Sequence, residues 1–120
     1  MNTLIIVDDD RANTQLVQML LEMDGFKVIA CPDSKRAREA ATDRTDAFVI
    51  DCNLSQGEDG IELLRAIRDG QTKAPRTTPV IITSGDDRRS LEASENDANL
   101  FLLKPYSASY LSEELGRLIV

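Results

Sequence analysis

Polar residues able to do chemistry recur at the ends of short apolar runs. Asp8, Asp9 and Asp10 follow Leu4–Val7, and Asp51 follows Ala47–Ile50. Ser84-Gly85 follows Val80–Ile82, and Lys104-Pro105 follows Leu100–Leu103. Carboxylates gathered in one place repel one another and call for a cation. Carboxylate oxygens and water suit a hard divalent ion such as Mg²⁺. A lysine and a hydroxyl in the same crevice complete a set suited to a phosphoryl group, whose charge is spread over several oxygens. Each residue taken alone has a plainer reading. An Asp after a strand is most often a helix cap or a turn residue, and Asp10 reads as such a cap. Ser84-Gly85 alone is a turn.

The four sites converge only if the elements carrying them form one sheet. The apolar runs Leu4–Val7, Val28–Ala30, Ala47–Ile50, Val80–Ile82 and Leu100–Leu103 mostly lack polar alternation, as expected of parallel strands covered on both faces. Segments of helical period lie between them. Residues 11–24 carry Val17, Leu20 and Leu21 and stop at Gly25. Asp33-Ser34 caps a helix to about Thr42. Residues 60–69 carry Ile61, Leu64 and Ile67 and stop at Gly70, and 86–96 reads as one weak, exposed helix. A last helix opens at Ser107, with Tyr110, Leu111, Leu115, Leu118 and Ile119 as its apolar face. Five β-α repeats imply an α/β fold. The expectation is a single doubly wound (βα)5 three-layer sandwich around a parallel five-stranded sheet, with right-handed crossovers. Ligands then bind outside the carboxyl ends of the strands, where the strand order reverses. The polar stretch 70–78 reads as the least ordered segment.

Composition narrows the function. The 120 residues make one domain over 1–120, long enough to fold without a metal or disulfide staple. A net charge of −7 disfavours nucleic acid or an anionic membrane as the direct partner. No apolar run has the length of a membrane span, and the N-terminus lacks a signal-peptide pattern, so a cytoplasmic location is expected. The chain has no histidine, which excludes a histidine-based zinc site, a Ser-His-Asp triad and a histidine phosphoacceptor. Its two cysteines, Cys31 and Cys52, have no metal-ligand spacing. Cys52 reads as a small, partly buried residue.

Together, Ile6-Val7-Asp8-Asp9, Phe48-Val49-Ile50-Asp51, Pro79-Val80-Ile81-Ile82-Thr83-Ser84-Gly85 and Phe101-Leu102-Leu103-Lys104-Pro105 resemble, over essentially the whole chain, the response regulator receiver domain of bacterial two-component signalling. The resemblance implies a flavodoxin-like sheet in the order 2-1-3-4-5. It implies that Asp51 is the phosphoacceptor. Asp9 and Asp51 would ligate Mg²⁺ directly, with the Asn53 main-chain carbonyl, while Asp8 holds a metal-bound water. Lys104 would pair with Asp51 and then with phosphoryl oxygens. Ser84 and Phe101 fall at the switch positions, and the Lys104–Pro105 peptide would be cis. The donor would be a histidine kinase or phosphotransfer protein docking at the start of the first helix, with Asn13 and Leu16 as exposed contacts. The output surface would be the fourth helix, fifth strand and fifth helix, open to a partner or a second copy. The chain reads equally as a stand-alone regulator and as one domain of a larger regulator or hybrid kinase.

Two departures stand out. Ser55 replaces a usual proline, and one residue is inserted before Asp59-Gly60, where Gly57 suggests a bulge or turn. Asn96-Asp97-Ala98 lacks a usual glycine. Two other functions remain in view. A Mg²⁺-dependent aspartyl-phosphate phosphohydrolase usually has an acid two residues after its nucleophile, where this chain has Asn53. A degenerate receiver would bind a partner constitutively. The expected activity is self-phosphorylation and autodephosphorylation only, not that of an enzyme acting on other substrates.

Overall fold

The structure, a computed structural model, describes residues 1–119. Val120, the last residue of the expected domain, lies outside the described residues. The elements run β1 (Thr3–Val7), α1 (Arg11–Met23), β2 (Lys27–Cys31), α2 (Ser34–Ala40), β3 (Ala47–Asp51), α3 (Gly60–Arg68), β4 (Val80–Ser84), α4 (Ser90–Glu95), β5 (Leu100–Leu103) and α5 (Ala108–Leu118). Short 3-10 turns occupy Ser55–Gly57 and Asp87–Arg89. The five strands are parallel in the order β2-β1-β3-β4-β5.

All five expected strands form, and four run further than the apolar runs, two of them into the polar strand ends. Asp51 and Ser84 are the last residues of β3 and β4, not the first residues after them. The three central strands are buried almost throughout, as apolar runs without alternation require. The edge strands β2 and β5 are only partly covered, because each lacks a neighbour on one side. One core layer packs Ile5, Phe48, Ile50, Ile82, Ile61 and Leu64 beneath α2, α3 and α4. The other packs Leu4, Ile6, Val49 and Ile81 against Val17 and Leu21 of α1 and Leu111 and Leu115 of α5.

Aspartates cap the helices that begin at the carboxyl edge of the sheet. Asp10, Asp33 and Asp59 accept hydrogen bonds from Asn13, Arg36 and Ile61 backbone amides at the starts of α1, α2 and α3. Four expectations are corrected. The second helix ends at Ala40, not near Thr42. The fourth helical segment is split into a 3-10 turn and a six-residue helix, because only Ala93 in α4 is buried. Tyr110 is 45% exposed, and the helical face expected for it is filled by Glu114, which pairs with Arg117. The stretch 70–78 is pinned. The Arg68 guanidinium donates to the carbonyls of Arg76 (2.8 Å), Thr78 (2.7 Å) and Asp97 (3.0 Å) and to Asn99 Oδ1 (2.8 Å).

Candidate functional site

The register of the sheet brings the polar strand ends together. Asp8 follows β1, Asp51 closes β3 beside it, and Thr83 pairs with Asp51 across to β4. Ser84 and Lys104 lie at the ends of β4 and β5. Carboxylate oxygens of Asp8, Asp9 and Asp51 all lie within 4.8 Å of one another. Asp8 and Asp51 are buried, while Asp9 is exposed. The Lys104 Nζ donates to Asp51 Oδ2 at 3.0 Å and to Asp8 Oδ2 at 3.1 Å, so one ammonium bridges two carboxylates. The remaining oxygens also have partners. Asp8 Oδ1 accepts from the Asp10 amide at 2.9 Å, and Asp51 Oδ1 accepts from the Asn53 amide at 3.3 Å. The Lys104–Pro105 peptide is cis.

Burial dominates the Asp51 carboxyl and lifts its pKa above the ordinary value, while the hydrogen bond and charge of Lys104 pull it down and the Asp8 charge pushes it up. Burial also works against the Lys104 ammonium. There the hydrogen bonds to Asp51 and Asp8 prevail, and its pKa lies above the usual lysine value. The lysine is held charged, and the carboxylate beside it is under-neutralised.

That imbalance suits a cation. The donor set is all oxygen, and the clustered carboxylate atoms are close enough to share one ion of the size and hardness of Mg²⁺. An open cleft of about 560 Å³ leads from Asp8 and Asp9 past Arg11, Thr14, Gln15 and Arg36.

Ser84 is fully buried, and its Oγ accepts a hydrogen bond from the Asp86 amide at 3.0 Å. Thr83 is also buried and lies within β4. Phe101 lies beside Ile82 across the β4–β5 ladder and is already partly buried against the core beneath α2, α3 and α4. The ring therefore does not start in solvent. Leu16 is 52% exposed on α1, as expected of a contact, whereas Asn13, also expected to be exposed, is half-buried.

The altered loop after Asp51 forms a tight turn. The Leu54 amide donates to the Glu58 carbonyl at 3.0 Å, and Asn53 bridges Asp59 in antiparallel fashion. Gln56 and Gly57 take positive φ values of 60° and 75°, which absorb the inserted residue. The Glu58 carboxylate accepts from the Ser34 amide at 3.1 Å, tying the turn to α2. Where the usual glycine is missing, Asp97 itself adopts a φ of 66°, a region that Asp tolerates better than most residues.

Sequence reasoning missed two contributors. Gly60 was legible only as the start of a helix, although the chain there runs against the Asp51 backbone. Arg89, in a polar stretch without periodicity, donates to Asp59 Oδ2 at 2.8 Å and Glu92 Oε1 at 2.9 Å.

The comparisons with known proteins agree with this geometry. The response regulator receiver domain model matches residues 4–116. The chain is 36% identical over 109 residues to the transcriptional regulatory protein CpxR of Escherichia coli, covering 89% of this chain and 44% of CpxR. It is 32% identical over 120 residues to the sensory/regulatory protein RpfC of Xanthomonas campestris, covering 98% of this chain and 16% of RpfC. The chain thus spans less than half the length of these curated relatives. Among solved structures, the receiver domain of the Francisella response regulator 1452 superposes with a TM-score of 0.86 at 26% identity, covering 99% of this chain and 97% of that one. A receiver domain protein from Clostridium thermocellum gives 0.87 at 25% identity, covering 99% and 94%. With its strand order and the convergence of Asp8, Asp9, Asp51 and Lys104 already established, the chain belongs to the response regulator receiver domain family of two-component systems.

Proposed function

We propose that this domain is a phosphorylation-dependent signalling switch that receives a phosphoryl group on Asp51 from the phosphohistidine of a histidine kinase or phosphotransfer protein. The observation that carries the reading is the Lys104 ammonium bridging Asp51 and Asp8 beside Asp9. In the transfer, an Asp51 carboxylate oxygen forms the new O–P bond. The donor's N–P bond breaks, and its electron pair stays on the imidazole nitrogen. Lys104 follows the charge onto the phosphoryl oxygens, and Ser84 donates its hydroxyl to one of them. Asp9, Asp51 and the Asn53 carbonyl would hold Mg²⁺, with Asp8 reaching it through water. The bound ion supplies positive charge against the carboxylates and the incoming phosphoryl group.

Two apolar surfaces suit partners. Leu16, Met19 and Met23 are exposed along one face of α1, and Leu16, at the end of that face nearer the site, is where a donor docks. Leu91, Leu103 and Tyr110 are exposed on α4, β5 and α5, where an output partner or second copy docks. Among the described residues no helix is long and apolar enough to cross a membrane.

Incubation with acetyl phosphate and Mg²⁺ tests the reading. One phosphoryl group per chain is expected, lost in Asp51→Asn, with slow release and no turnover of other phosphoesters. Absence of labelling would assign the chain to constitutive binding. Sustained turnover of a small phosphoester would make it a phosphohydrolase.

A further inference from the structure

The segment between β4 and α4 is fastened at two points and held by little else. At its start, the Asp86 amide donates to Ser84 Oγ. At its end, Arg89 reaches across to Asp59, the residue that caps α3. No side chain from Gly85 to Leu91 is buried, and Gly85 has open space around it. The Arg88–Asp86 and Arg89–Glu92 pairs are local to the segment and move with it. A more exposed contact joins Arg65 of α3 to Asn96 and Glu92 further along. The Arg89–Asp59 pair is the better sheltered tie, with side chains only 23% and 34% exposed.

We propose that Arg89 is a positioning residue that sets the balance between resting and activated arrangements of the β4–α4 segment through its bond to Asp59. The inference rests on the switch reading above. Turning Ser84 Oγ toward a phosphoryl group on Asp51 removes the acceptor from the Asp86 amide and frees the first fastening. The second then opposes movement of the segment, because Asp59 stays fixed. It is held by α3 and by the turn after Asp51, which its Oδ1 and backbone join through Ile61 and Asn53. Arg89 touches neither Asp51 nor any residue proposed to hold the metal. It acts through Ser84, by making the resting position of the segment more costly to leave.

Asp59 offers a clean test because its two oxygens have separate tasks. Oδ1 caps α3 and Oδ2 holds Arg89. Asp59→Asn keeps an oxygen for the cap and replaces the Arg89 acceptor with a donor. The experiment titrates beryllofluoride with Mg²⁺ into wild type, Arg89→Met, Asp59→Asn and the double variant, following backbone amide resonances. Each single variant is expected to bind about threefold or more tightly than wild type, the scale of losing one partly exposed ion pair. The double variant should gain nothing further, because both changes cut the same bond. Arg89→Lys should restore most of the wild-type affinity. Single variants that bind no more tightly than wild type, or effects that add in the double variant, would overturn the role of Arg89 alone. A wild type that binds no beryllofluoride would overturn the switch reading and this inference with it.

Discussion

A β-carbon built on Gly60 would lie 2.0 Å from the backbone oxygen of Asp51. The first residue of α3 therefore sits directly against the end of the strand that carries the central carboxylate. The Gly60 amide also donates to the Cys52 carbonyl at 2.8 Å, so the contact is bonded as well as tight. The neighbouring atoms are backbone and the Ile50 side chain, with little freedom to yield. Gly60→Ala is expected to cost about 1–3 kcal/mol, as overpacking of a rigid site does. It should also weaken Mg²⁺ binding by displacing Asp51. Urea unfolding and Mg²⁺ titration check both parts, and a variant matching wild type in each would show that the approach relaxes freely.

Repulsion among Asp8, Asp9 and Asp51 is expected to make the metal-free protein less stable than the same fold with the cluster neutralised. Mg²⁺ is expected to raise the melting temperature by mass action, with a stabilisation of about 2.7 kcal/mol at one hundred times its dissociation constant. Asp9→Ala should remove most of that gain. Asp9 is exposed, so the substitution should leave the metal-free stability near or above wild type. A variant that keeps the full Mg²⁺ response would place the ion elsewhere.

Much of this was legible in the sequence because the strands are short apolar runs ending in polar residues. That pattern located Asp8, Asp51, Ser84 and Lys104 at one edge of the sheet. It failed where contacts between distant residues decide the structure. The stretch 70–78 is polar and lacks periodicity, yet Arg68 holds it through the carbonyls of Arg76 and Thr78. No local pattern announces a guanidinium arriving from a helix. Tyr110 failed for the opposite reason. Its helical position suited the core, but paired Glu114 occupies that face and leaves the ring exposed. The Arg89–Asp59 bond spans 30 residues, beyond the reach of any local pattern.

Cys52 gives the stability an alkaline limit. Its side chain is fully buried, and burial pushes the thiol from 9.0 up to about 11. In the unfolded chain the thiol ionises at lower pH. The unfolded state thus holds fewer protons between these values, and stability falls as pH rises from 9.0 to about 11. The loss attributable to this group is about 2–3 kcal/mol across that range. Cys52→Ala should flatten that limb relative to wild type, whatever it costs at neutral pH. Both thiols are free and buried, so they should react with a disulfide reagent only on unfolding. Rapid labelling of the native protein would contradict this.

A substitution on the exposed side of α1 tests the proposed docking separately from the chemistry. Leu16 is 52% exposed and touches no part of the acidic cluster's hydrogen-bond network. Leu16→Glu is expected to leave stability within about 0.5 kcal/mol, as surface substitutions do. It should slow phosphotransfer from a protein donor at least tenfold while leaving labelling by acetyl phosphate unchanged. Equal slowing with both donors would place the effect in the site and not in docking.

In the proposed switch, Ser84 and Phe101 couple the site to the surface beyond β4. The Ser84 hydroxyl is buried within β4, next in the strand to Thr83, which pairs with Asp51. A phosphoryl oxygen offers it a charge-assisted bond worth about 1.5–3 kcal/mol. Taking that bond means releasing the Asp86 amide, which loosens the segment leading to α4. Phe101 starts half-buried, so its further burial contributes less than the about 1.5–3 kcal/mol of a full ring transfer. The hydroxyl bond, less the released Asp86 bond, is the contribution specific to Ser84. Ser84→Ala removes it while leaving Asp51, Lys104 and the acidic cluster in place. Asp51 should still accept a phosphoryl group, and beryllofluoride should still bind. What should disappear is the beryllofluoride-induced change at Leu91, Leu103 and Tyr110, read as partner binding, dimerisation or amide shifts on that face. If Phe101 burial were the main drive instead, Ser84→Ala would retain most of the response and Phe101→Ala would abolish it. The pair of variants therefore decides which residue carries the signal from Asp51 to the surface.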